Sequence, residues 1–173
     1  EAVYWVAGAT AAASNTTSLT DVEYSGATGV SAPKNNEEAE AAIKAGEFFF
    51  SMSEEGKVIV EYDINSLVTF TLKKTKDYRK NRVMRVYDTF AEWCTLNFPS
   101  NKYDNSPDGW DTMEGIGRSG LQQFLDAGAI KSVDKDNDFL VDREASDGDE
   151  TYFIVGLKSV DSAEKMFFTI KTR

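Results

Sequence analysis

Histidine is absent from this 173-residue chain, and cysteine occurs once, at Cys94. The first absence removes Ser-His-Asp and Cys-His catalysis and most zinc sites, which need an imidazole. The second removes any intrachain disulfide, so nothing indicates an oxidising compartment. No apolar run approaches the ~20 residues that a membrane span requires. Positive charge is in short supply as well. A formal net charge of −10 and a pI near 4.5 argue against the whole molecule being a nucleic-acid binder. The opening, "EAVYWVAGATAAAS", lacks an initiator Met and a basic n-region. It reads as a chain that begins inside a larger polypeptide rather than as a signal peptide.

What is present fits a folded protein. Hydrophobic residues make up 41% and charged residues 28%, a balance that argues against wholesale disorder. The length suits one domain, or one domain plus part of another. Residues 3–13 are Ala-rich and predict a helix, "LTDVEY" alternates like a short strand, and residues 25–35 form a loop. Asn35 with Glu38 three residues later matches a capping box, and Gly46 supplies the helix stop. "EFFFSM" and "KVIVEYDI" flank "SEEG" as a β-hairpin with Gly56 in the turn. Val58, Val60, Tyr62 and Ile64 then share one face, and "NSLVTFT" continues in extended form.

A long helix is predicted over 77–97, with Val83, Val86, Tyr87, Phe90 and Cys94 at core spacing, ended by Pro99. A second runs from about 107 to 127 on Trp110, Met113, Leu121, Phe124 and Leu125. The acidic stretch 134–150 holds a short strand, and "TYFIVGLKSV" and "EKMFFTIKTR" close the chain as two more. In the last, Met166, Phe168 and Ile170 point one way while Phe167, Thr169 and Lys171 point the other. The pattern predicts an α+β fold, a mixed or antiparallel sheet packed with two or three long helices.

Several motifs invite chemistry and fail on context. "GIGRSG" (115–120) matches the dinucleotide fingerprint, which needs a strand before it. Helical anchors flank it instead, so it reads as a turn between helices or a close packing contact. "DKDND" puts Asp134, Asp136 and Asp138 in an EF-hand-like spacing, but Phe139 and Ala145 occupy the positions that need Gly and Glu. Cys94 falls on the apolar helix face as a small core hydrophobe. No metal or cofactor site and no catalytic constellation emerges.

One feature is out of keeping with the acidic chain. "KKTKDYRKNRVMR", residues 73–85, carries +6, leaving −16 for everything else. Taking 77–97 as one helix, Arg82 and Arg85 fall opposite the apolar stripe, while Lys73, Lys74, Lys76, Arg79 and Lys80 occupy the approach and first turn. Cations there oppose the helix dipole by a few tenths of a kcal/mol each. An acidic partner surface accounts for such a window; a solvated charged face is the alternative.

"EYDINSLVTFT", "YRKNRVMRVYDTFAEW", "LQQFLDAGAI" and "FIVGLKSVDSAEKMFFTIKTR" together resemble the C-terminal region of contractile-tail sheath proteins of myovirus-type phages and phage-like elements. "DINSLVTF" followed by "KNRVMRVYD" carries most of the likeness. "YWVAGATAAASNTTSLT" and "EEAEAAIKAGEFFF" extend it upstream, so it spans nearly the whole chain. The resemblance implies a structural, non-enzymatic subunit without cofactors, in a virion tail assembled in the bacterial host cytoplasm. Its partners would be other sheath subunits, in hexameric rings, and the tail tube protein, with no nucleic acid and no membrane. It implies that residues 1–30 end a preceding sheath domain, and that 31–173 form the C-terminal domain lining the sheath interior. Lys76, Arg79, Lys80, Arg82 and Arg85 would face an acidic tube. Residues Met166, Phe167, Phe168, Thr169, Ile170 and Lys171 would exchange as a strand between subunits, or else pair with residues 152–160 of their own chain. With no N-terminal arm in the sequence, this chain alone is expected to be mainly monomeric, or weakly associating through the terminal strand. Two other classes stay open on the residues: an acidic binding module whose basic helix takes an acidic protein or single-stranded nucleic acid, and a carboxylate-pair hydrolase.

Overall fold

Asn35 caps helix α2 (Asn36–Ala45) as its spacing predicts: its side chain accepts from the Glu38 amide at 3.0 Å, and the Glu38 carboxylate accepts from the Asn35 amide at 2.9 Å. Gly46, at φ 80°, ends the helix in the left-handed conformation that glycine adopts without strain. The hairpin follows. Strands β1 (Phe50–Met52) and β2 (Val58–Val60) pair antiparallel, Phe50 opposite Val60, with Gly56 at φ 77° in the turn. Val58, Val60 and Ile64 are buried, the face that the alternation selects.

The computed structural model describes residues 1–72, 74–164 and 166–171. It divides into two compact units, one of Glu1–Ala13, Thr17–Arg82 and Asp161–Arg173, the other of Ser14–Thr16 and Val83–Val160. In the first, helix α1 (Ala2–Ala12) has no buried residue, but Trp5 joins Tyr24 and Phe50 in an aromatic cluster with ring centroids 4.9 and 5.7 Å away. "LTDVEY" forms only one bridge, Glu23 to Ile59, and runs along the free edge of β2 through Asp21, Val22 and Tyr24.

The second unit packs helices α3 (Asn81–Asn97) from Val83 onward and α4 (Pro107–Asp126) with strands β3 (Phe139–Val141) and β4 (Phe153–Val155). Its core joins Val86, Phe90, Leu121, Phe124, Ile130 and Phe139. "GIGRSG" lies inside α4, and its glycines are close packing contacts. A Cβ at Gly117 would meet the Phe139 ring at 2.1 Å, and one at Gly120 would meet the Trp93 ring at 2.2 Å. Glu114, buried on α4, accepts from the Val141 amide at 3.0 Å and from Arg118 at 2.9 Å, which ties β3 to the helix.

The fold is α+β, and the described residues form two two-stranded antiparallel sheets where a mixed or antiparallel sheet is expected. Two elements differ from expectation. The helix predicted over 77–97 is interrupted: Lys76–Arg79 form a 3-10 turn, Lys80 is extended and bridges Ile64, and α3 starts at Asn81. The closing strand is the other. Residues 166–171 join no ladder among the described residues, and β4, in the segment that was its rival partner, pairs with β3 instead. Lys73 of the basic window and Lys165, Thr172 and Arg173 of the closing strand lie outside the described residues.

Candidate interaction surface

The basic segment as far as Arg82 and the approach to the terminal segment both belong to the first unit, whereas Arg85 belongs to the second. Their shared frame is Asp63, a carboxylate only 1% exposed at the end of the hairpin's second strand. A buried carboxylate must be matched by donors. Asp63 accepts from the Leu19 amide at 2.9 Å and from the Asn81 side-chain amide at 2.8 Å. The Asn81 amide donates to the Asp63 carbonyl at 3.2 Å, and the Asn65 amide to the Arg79 carbonyl at 2.9 Å. This capture of Asn81 and the bridge at Lys80 explain why α3 begins where it does.

Glu164 is the second centre. Its side chain is 7% exposed and pairs with Lys80, itself 16% exposed. Thr20 donates its hydroxyl to the same carboxylate at 2.8 Å and Ser18 at 3.3 Å. The Lys80 ammonium also sits 4.0 Å from the centroid of the Tyr62 ring. Burial pushes the Glu164 carboxyl up, but hydrogen bonds from Lys80 and Thr20 and the Lys80 charge outweigh it and hold the group below the usual range. Burial likewise pulls the Lys80 ammonium down, but its bond to Glu164 and the charges of Glu164 and Asp161 outweigh that and hold it above its usual value. Two residues before Glu164, the Ser162 hydroxyl accepts from Arg82 at 2.9 Å.

The five predicted tube-facing cations therefore do not form one free surface. Lys80 is engaged by Glu164 and Arg82 by Ser162, and both are half-buried. Arg85 is half-buried and also has a partner. Lys76 is exposed, and with half-buried Arg79 it lines an open cleft of about 510 Å³ beside Tyr62, Ile64 and Phe70. Beyond Glu164 the picture inverts. Met166, Phe167, Phe168 and Ile170 are 68%, 92%, 84% and 94% exposed, and residues 166–171 make no hydrogen bond to another described residue. Sequence reasoning missed Asp63, Glu114 and Glu164. No spacing marks them, since each is one acid among 29 Asp and Glu residues.

Comparison with known proteins gives a consistent result. The family described as "Phage tail sheath protein central domain" matches residues 1–66, and "Phage tail sheath C-terminal domain" matches residues 73–173. The phage-like element PBSX protein XkdK of Bacillus subtilis (strain 168) is 33% identical over 181 residues, covering 99% of this chain and 39% of XkdK. The crystal structure of the sheath tail protein Lin1278 from Listeria innocua superposes with a TM-score of 0.76 at 32% identity, over 97% of this chain and 40% of that one. The helical sheath of the anti-feeding prophage in its contracted state shares the fold, with a TM-score of 0.69 at 16% identity over 96% of this chain and 48% of that one. The chain thus spans about two-fifths of the length of XkdK and of Lin1278.

Proposed function

The chain belongs to the phage tail sheath family, and from that premise we propose that it is part of a structural, non-enzymatic subunit of a contractile tail sheath. Such subunits polymerise in rings around an inner tube and drive it through the bacterial envelope as the lattice contracts. The partners are then other copies of the subunit and the tube protein, in a virion tail assembled in the host cytoplasm. The observation that carries this reading is the terminal segment. Four large apolar side chains in five residues stand more than two-thirds exposed, on backbone without a ladder partner among the described residues. A soluble monomer has no use for such an edge, whereas a neighbouring copy supplies both hydrogen bonds and cover by strand addition.

The basic segment supports a second contact, with the tube. Lys76 and Arg79 carry it in this reading, with Lys80 and Arg82 acting mainly inside the chain. Charge complementarity suits a surface that must hold register and then release, because water and salt screen it. The test is to express the full-length polypeptide alone and image it by negative-stain electron microscopy. Hollow, helically striated polymers are expected, and their loss on deletion of residues 166–173. Dispersed particles across protein concentration and salt would overturn the assembly reading. Replacing Lys76 and Arg79 by Glu should leave these polymers intact and reduce assembly on cognate tubes.

A further inference from the structure

We propose that Lys80 and Glu164 form a clamp that sets the register in which the terminal strand meets a neighbouring copy, an inference that rests on the strand-exchange reading above. The change along the chain is abrupt. Glu164 has a side chain 7% exposed and is held by Lys80, Thr20 and Ser18, while Met166, two residues on, is 68% exposed. Ser162 is fixed as well, by Arg82. The strap from Asp161 to Glu164 is thus fastened to two separate stretches of the first unit, Ser18–Thr20 and Lys80–Arg82, just before the exposed apolar segment.

The chemistry of the fastening is informative. Desolvation offsets most of what a buried ion pair gains, so a pair of apolar residues would hold the strap at least as firmly. What an ion pair adds is uniqueness, because each charge accepts one partner position and penalises every shifted one. Register is what the terminal strand needs. Its side chains alternate, Met166, Phe168 and Ile170 on one face and Phe167, Thr169 and Lys171 on the other. A slip of one residue would exchange an all-apolar face for one bearing Thr169 and Lys171. A slip of two residues keeps the same face, however, so the pattern alone does not separate such registers and a fixed starting point is needed. Lys80 is a fixed reference for the count, since its backbone bridges Ile64 and its amide bonds the Asp77 carbonyl at 3.0 Å.

The test uses the full-length polypeptide in five forms: unaltered, Glu164→Gln, Lys80→Met, the exchanged pair Lys80→Glu with Glu164→Lys, and a deletion of residues 166–173. Polymer yield by sedimentation and helical order by electron microscopy are read for each, with hydrogen exchange on unassembled protein. Both single variants should give at least tenfold less ordered polymer, and the exchanged pair should recover a substantial part of it. In the single variants, exchange should quicken at residues 161–164 and stay unchanged in β1 and β2. If the deletion abolishes polymers while the single variants keep the unaltered helical parameters, the clamp is overturned and strand exchange stands. If the deletion assembles normally, strand exchange fails and the clamp falls with it. Global loss of exchange protection in the single variants would make the pair a determinant of folding and also overturn the proposal.

Discussion

The two compact units bury different chemistry in different proportions, although each holds a buried carboxylate, Asp63 in the first and Glu114 in the second. The second is built on rings and glycines: Phe139 lies against Gly117, Trp93 against Gly120, and Phe90 contacts Phe124 edge-on at 5.2 Å. The first has an aromatic cluster of its own, but its chain crossings are held by Asp63 and by the Lys80–Glu164 pair. Close packing gives stability with little say over sequence register, and buried polar pairs give the reverse. The Lys80–Glu164 pair stands two residues before the exposed apolar side chains that begin at Met166.

The comparison can be broken most severely in the second unit. Phe139 is 1% exposed, touches Phe90, Phe98 and Phe153, and fills the space that Gly117 leaves. Phe139→Ala should cost ~4 kcal/mol, the range for an aromatic removed from a closed core. Denaturant unfolding measures it. A loss below ~1 kcal/mol would mean that this core collapses around the gap, contrary to the packing described. In the first unit the matching change is Asp63→Ala. It removes little apolar area but leaves the Leu19 amide and the Asn81 side chain without their acceptor, for an expected loss of ~3 kcal/mol. Asp63→Asn should recover part of that, because one oxygen still accepts. Equal losses for Asn and Ala would show that charge, not hydrogen bonding, holds the crossing.

Within one motif the glycines separate packing from propensity. A Cβ at Gly117 would stand 2.1 Å from the Phe139 ring, while at Gly115 nothing lies within 4 Å. Gly117→Ala should lose ~2 kcal/mol, overpacking minus the helix gain, and Gly115→Ala should gain ~1 kcal/mol from propensity alone. Thermal melts of the two variants give the contrast, and shifts of the same sign would remove it.

How much of this was legible from the residues follows the same division. Local devices were readable: the Asn35–Glu38 box, the Gly56 hairpin, the apolar stripes of both long helices, and the failure of "GIGRSG" as a nucleotide motif. The α+β class and the family likeness were readable too. What was not readable depended on contacts distant in sequence. Nothing around residue 80 says that Asp63 will capture Asn81 and stop a helix from extending back through Arg79, because helical spacing is satisfied either way. The same applies to the cations. Charge patterning predicts that a basic window finds acids, but Lys80 finds Glu164, 84 residues along the same chain. Alternation in 166–171 predicts a strand, the described residues show no ladder there, and a pattern of period two does not name a partner.

The smallest expected effect comes from titrating one carboxyl, and it sharpens the contrast between the units without breaking either. Glu164 is held below its ordinary value of 4.5 by Lys80 and Thr20 against the opposing effect of burial. A carboxyl depressed in the fold stabilises above its unfolded value, and that contribution is lost as pH falls through the folded one. Lys80, raised above 10.5, contributes below that value and loses its contribution as pH rises past it. Between about pH 5 and 10 the pair should therefore be intact, with Tyr62 and Asp161 as the other ionisable groups beside it. Acidification below pH 4.5 should release residues 161–164, seen as reduced hydrogen-exchange protection after correction for intrinsic rates, before the aromatic core around Phe139 loosens. The carbon-13 shift of the Glu164 carboxyl gives the direct check. Its midpoint should lie below 4.5 and move upward in Lys80→Met, where burial is left without the opposing charge. A midpoint indifferent to Lys80 would mean that the threonine and serine hydroxyls hold the strap, and that the ion pair contributes little to it.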